Sequence, residues 1–177
     1  MATIAIGHAF YLGNQNGNGP ICRGGPEEPD IKETASQTYA VGAPLYKDSN
    51  GTIAISAASS NIIAELCGFA LKAASGTTGG QTRYRAVIPG DTYVMSLQGT
   101  STDATALTQV GNKYMLDIDT ARCGVNVDAT FDAEKPHVQV LKMYTAANGY
   151  NGVVDAVGDT NGRVVVTFPD QSGIQGG

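Results

Sequence analysis

The chain has 177 residues, 42% of them apolar, enough for one hydrophobic core or for one core with an ordered extension. Only 15% are charged, 23 are glycine and none is tryptophan, the composition of a glycine-rich, β-prone protein. The net charge of −5 argues against nucleic acid, whose binders carry a basic surplus, and against a polybasic membrane contact; no apolar run approaches the ~20 residues that span a bilayer.

Residues 1–38 differ from the rest. Met1 to Phe10 has neither the length nor the charge of an export leader, so reduced cysteines are expected. Asn14-Gln15-Asn16-Gly17-Asn18-Gly19-Pro20 and Gly24-Gly25-Pro26-Glu27-Glu28-Pro29-Asp30 are rich in turn residues that disfavour regular structure. Between them stand Ile4, Ile6, Phe10, Tyr11, Leu12 and Ile21. The pattern predicts an extended N-terminal arm that docks on its own domain or on another chain. Phe10, Tyr11 and Ile21 are its candidate partner-binding residues, because large apolar and aromatic anchors dominate interfaces.

Residues 39–177 read as an all-β domain, a small barrel or sandwich, with period-two runs and turn signals about every eight to twelve residues. Asn50-Gly51 predicts a hairpin between Tyr39–Tyr46 and Thr52–Ser56, since both central residues of that turn need positive φ. The segment 60–72 is ambiguous. Apolar residues at 62, 63, 66, 67 and 70 have helical spacing, Gly68 opposes a helix, and periodicity leaves helix or strand open. Arg83–Ile88 places Tyr84, Ala86 and Ile88 on one face and both arginines on the other. After the turn Pro89-Gly90-Asp91, Thr92–Leu97 places Tyr93, Met95 and Leu97 together. Residues 98–112 are polar and predict an exposed loop. Tyr114, Leu116 and Ile118 alternate with Met115, Asp117 and Asp119, and Val138–Tyr144 is β-rich. Asn161-Gly162 predicts a second hairpin between Val153–Val157 and Arg163–Phe168, with Val164, Val166 and Phe168 on one face.

The chemical inventory is thin. Cys22, Cys67 and Cys123 are an odd number without short spacing, which fits neither a disulfide framework nor a zinc site. A Cys–His nucleophile has only His8 and His137 to draw on, and neither has a local motif. Asp117-Ile118-Asp119 reads as a solvated strand face rather than a metal site. Asp155, Asp159 and Asn161-Gly162 fit a turn better than a calcium loop, whose distal Glu is missing. Gly76-Thr77-Thr78-Gly79-Gly80-Gln81-Thr82 lacks the Lys-Ser/Thr of a phosphate loop. These readings predict no catalytic residues, no metal and no cofactor.

Three stretches carry a family resemblance. The first is Val41-Gly42-Ala43-Pro44-Leu45-Tyr46 with the hairpin after it and Ala64 to Gly76. The second is Tyr84-Arg85-Ala86-Val87-Ile88-Pro89-Gly90-Asp91-Thr92-Tyr93-Val94-Met95. The third is Gly111-Asn112-Lys113-Tyr114-Met115-Leu116 leading to Gly162-Arg163-Val164-Val165-Val166-Thr167-Phe168. In this order, over about two-thirds of the chain, they resemble the decoration, or cement, proteins of tailed-bacteriophage capsids. The resemblance favours a strand over residues 63–73 and implies a β-barrel or β-tulip-like domain that forms a homotrimer. It also implies a place on the outer capsid surface of the virion, at three-fold and quasi-three-fold positions, where the trimer clamps major capsid protein subunits after synthesis in the host cytoplasm. It brings no catalytic residues, and the arm lies outside it. The alternatives are a carbohydrate- or receptor-binding surface module, which needs an exposed aromatic groove, and a small hydrolase, which needs converging titratable groups.

Overall fold

A computed structural model describes residues 10–14, 27–33, 36–47, 52–55, 66–76, 80–87, 90–98, 104–119, 122–144 and 155–169. Among these the protein is all-β, with one short 3-10 turn at Leu107–Gln109. The strands are β1 (Phe10–Asn14), β2 (Glu27–Lys32), β3 (Thr38–Tyr39), β4 (Pro44–Lys47), β5 (Ile53–Ile55), β6 (Leu66–Ala70) and β7 (Ala74–Ser75). They continue with β8 (Gln81–Ala86), β9 (Asp91–Ser96), β10 (Lys113–Asp119), β11 (Arg122–Asn126), β12 (His137–Met143) and β13 (Arg163–Thr167).

A six-stranded sheet runs β1-β9-β13-β12-β10-β11, a five-stranded sheet runs β2-β8-β6-β4-β5, and β3 pairs with β7. The first sheet curls. Leu97, just past β9, bridges Val125 of β11, and the Gln98 amide donates to the Val125 carbonyl at 2.8 Å. The curl makes a small barrel-like body. Its seam needs Gly124, where a Cβ would stand 2.8 Å from the Ser96 carbonyl oxygen and 2.5 Å from Gln98 Cβ.

The alternation read from the sequence is what fills the barrel. Tyr93, Met95 and Leu97 point inward with Val164, Val166 and Phe168, and they meet Val138, Val140, Leu116 and Val125. The opposite face of β9 and β13 is covered too: Val94 and Val165 pack with Tyr144. β9 is therefore a central strand, buried along its whole length. β8 alternates strictly, with Thr82, Tyr84 and Ala86 buried and Arg83 exposed.

β6 settles the ambiguous segment as strand over Leu66–Ala70. Leu45 pairs with Gly68 while Tyr46 pairs with Leu66, so Cys67 is the extra residue of a bulge. The bulge breaks alternation: Leu66 and Phe69 join the barrel core, and Cys67 and Ala70 join a second core with Tyr39, Ala43, Leu45, Tyr84 and Ala86.

Three expectations are corrected. β4 pairs with β5 as the first hairpin requires, but Lys47 lies opposite Ile53; a strict two-residue turn at Asn50-Gly51 would set Lys47 opposite Ala54. The strand also begins at Pro44, because Gly42 turns the chain at φ +85°. The second hairpin does not form: Val153 and Val154 lie outside the described residues, Asp155–Gly158 is irregular, and β13 has β12 and β9 on its two sides. The polar segment 98–112 is not uniformly exposed, since Gln98, Thr105 and Gln109 are buried; Gln109 donates to the Ala104 carbonyl and accepts from the Ala106 amide.

Candidate functional site

The chain's chemistry-bearing residues go mainly into structure. Cys67 donates to the Leu45 carbonyl at 3.3 Å, and burial pushes its thiol up to about 12. Cys123 is buried in β11, its thiol also pushed up, first by burial and then by Asp117. A thiol so held is a poor nucleophile, because the thiolate is the reactive form. Cys22 and His8 lie outside the described residues.

His137 opens β12 and is 3% exposed. Its Nδ1 lies 2.9 Å from the Lys135 carbonyl oxygen, and the Phe131 ring meets it edge-on at 4.8 Å. Burial, then the nearby Lys113 charge, lower its pKa, against the opposing effects of the Lys135 carbonyl and Asp132.

Asp155 and Asp159 are held by protein donors. The Asp155 carboxylate takes a two-pronged contact from Arg163, 2.6 Å from Nη2 and 2.9 Å from Nε, and a third bond of 2.6 Å from the Arg163 amide. The Arg163 guanidinium also lies over the Tyr144 ring at 4.9 Å. Asp159 accepts from the Ala156 amide at 2.8 Å. Thr105 locks this loop to the segment 104–111, donating to the Ala156 carbonyl and accepting from the Gly158 amide. Asp159 to Gly162 form a turn, though not a hairpin turn, with the Gly162 amide donating to the Asp159 carbonyl and Asn161 at φ +54°. No group of three or more His, Cys, Asp or Glu is placed to hold a metal among the described residues.

These two interlocked loops carry exposed apolar side chains: Leu107 at 69%, Val157 at 48% and Val110 at 40%. Water contact costs such side chains free energy, and the hydrogen-bonded frame beneath fixes them in place. This is the feature best suited to association; in the sequence Leu107 and Val110 read as part of a polar loop and Val157 as the end of a strand.

The predicted partner-binding residues are placed as follows. Phe10 and Tyr11 lie in β1, opposite Val94 and Tyr93 of β9, at the end of the six-stranded sheet. Ile21 lies outside the described residues. β2 pairs with β8 at the end of the other sheet. Two strands from residues 1–38 thus extend the chain's own sheets.

An open cavity of about 250 Å³, its lining evenly polar and apolar, lies where the β2–β8 ladder ends and the β3–β7 ladder begins. Glu33, Lys72, Ala74, Ser75 and Gln81 border it. Glu33 is 4% exposed and accepts a 2.8 Å hydrogen bond from the Tyr39 hydroxyl. Burial, with Glu33 alongside, holds that phenol protonated, far above its ordinary range.

The chain matches no protein-family model, no curated protein and no solved structure.

Proposed function

We propose that this chain is a structural protein of a tailed-phage virion. In this reading it binds the outside of the capsid as a homotrimer at three-fold and quasi-three-fold positions and stabilises contacts between major capsid subunits, without catalysing a reaction. The observation that carries the reading is the pair of locked loops presenting Leu107, Val110 and Val157 on a barrel-like body. The candidate thiol nucleophiles among the described residues are buried. Trimeric presentation of a few modest apolar contacts multiplies their hold on a repeating lattice. A glycan-binding groove is less well supported, because Tyr39, Tyr84, Tyr93 and Tyr144 are spent in the cores.

Sedimentation of the purified chain should give three times the monomer mass, and densitometry of purified virions should give a copy number approaching that of the coat protein. Leu107→Glu with Val157→Glu should leave the fold intact and reduce head loading about tenfold or more, the scale of losing anchor contacts. Full loading by the double variant removes the loops from the interface. Virions without the chain overturn the reading as a whole.

A further inference from the structure

The cavity beside Glu33 has a charge pattern that the association reading does not use. Glu33 follows directly on β2, and its amide donates to the Gly80 carbonyl at 3.0 Å, which fixes the residue at the cavity wall. A carboxylate taken out of water needs a countercharge or several donors. Its partner here is the neutral Tyr39 phenol, which orients the group without neutralising it. Lys72, exposed, borders the same cavity, and among the described residues it forms no ion pair with Glu33. The two residues therefore border a common space without pairing with each other.

The space is small. At about 250 Å³ it has room for roughly eight waters, or for a molecule the size of an amino acid. Ala73 and Ala74 supply a short apolar wall, and Ser75 and Gln81 add hydrogen-bonding groups. A bare cation would satisfy Glu33 and meet repulsion from Lys72; a bare anion would meet the reverse. A metal ion would find a single carboxylate where several oxygen ligands are needed.

We propose that this cavity binds a small zwitterion, with its ammonium or guanidinium group against Glu33 and its carboxylate against Lys72. The inference is independent of any role on a capsid. The test uses the isotope-labelled full chain, titrated with γ-aminobutyrate and ε-aminocaproate while the amide resonances of Ser75, Gly80 and Gln81 are followed. Both compounds should shift these signals saturably. Alkylammonium ions and alkanoates of matching length should bind about tenfold more weakly, since each lacks one charge-assisted contact. Lys72→Met, a change at an exposed position, should cancel the advantage of the zwitterion over the alkylammonium; Glu33→Gln should abolish binding of both. The proposal fails if neither aminocarboxylate gives a saturable shift, or if alkylammonium binds as tightly as the zwitterion. It fails equally if Lys72→Met leaves the preference unchanged, a result that stands even where Glu33→Gln does not fold.

Discussion

The barrel core and the core behind the five-stranded sheet differ in what fills them. In the barrel, Phe69, Tyr93 and Phe168 form an aromatic cluster with centroids 5.0, 5.5 and 6.2 Å apart, surrounded by valines and methionines. In the second core the tyrosines Tyr39 and Tyr84 stand among Ala43, Ala70 and Ala86. Alanine removes little apolar surface from water, so the second core gains less per residue. It relies more on backbone closeness, as where Gly68 lies against the Arg85 carbonyl, and on polar contacts such as Tyr39 to Glu33. The lesson is one of division: the barrel gathers the large side chains, and the alanine-rich layer borders the cavity.

That contrast is open to a direct attack. Phe168→Ala removes a fully buried ring from the aromatic cluster and should cost about 3–5 kcal/mol in equilibrium urea unfolding. In the unmodified protein, native-state hydrogen exchange should show amides at Gly42 and Ala70 opening at lower free energy than those of Val164–Val166. If the two sets exchange only through global unfolding, the cores act as one unit and the distinction disappears.

A smaller effect sharpens the comparison at the backbone. A Cβ at Gly68 would overlap the Arg85 carbonyl oxygen and lie 2.6 Å from the Tyr84 ring. Gly68→Ala should therefore part β6 from β8 and cost about 1–3 kcal/mol, the range of overpacked sites. At the barrel seam Gly124→Ala meets Gln98 as well as the Ser96 carbonyl oxygen. Only the Gln98 Oε1 can turn aside, since Gln98 Cβ and the Ser96 carbonyl are set by the backbone, but these contacts are less close than the overlap at Gly68, so the cost should fall below that of Gly68→Ala within the same range. Thermal denaturation of both variants ranks them; a milder Gly68→Ala would mean that the β6–β8 spacing yields more easily than the seam.

The sequence showed well those elements where one face governs. Tyr84 with Ala86, Tyr93 to Leu97 and Val164 to Phe168 each share one core face as the alternation reads, although β9 and β13 are covered on their other side as well, and Ile88 lies outside the described residues. Bulges broke legibility. The spacing of residues 66, 67 and 70 looked helical because a bulge at Cys67 lets neighbours serve two different cores. β2 was hidden by Pro29, which an edge strand tolerates and an inner strand would not. A turn was rightly expected near Asn161-Gly162, but it closes from Asp159 to Gly162 with Thr160 and Asn161 at its centre, and β13 takes partners far away in the chain, which short-range patterns do not encode. Glu33 gave no signal at all: one acid in a charged stretch becomes a cavity wall only through the placement of Tyr39 and Gly80.

The smallest expected effect probes how dry the barrel wall is. His137 lies in β12 with its pKa lowered by burial, so the folded chain binds its proton less readily than the unfolded chain, where the ordinary value is about 6.5. The unfolded state then takes up more protons as the solution becomes acidic, and stability must fall with it. The contribution of neutral His137 is complete above about pH 6.5 and is lost as the pH drops from there through the folded value. Carboxylates titrate in the lower part of that window, so the residue has to be isolated by comparison. Urea midpoints measured from about pH 8 to about pH 5 should decline more steeply in the unmodified chain than in His137→Gln, which cannot gain the charge. Parallel curves would mean that water reaches the imidazole past Phe131, and that this end of the barrel is closed less tightly than its 3% exposure implies.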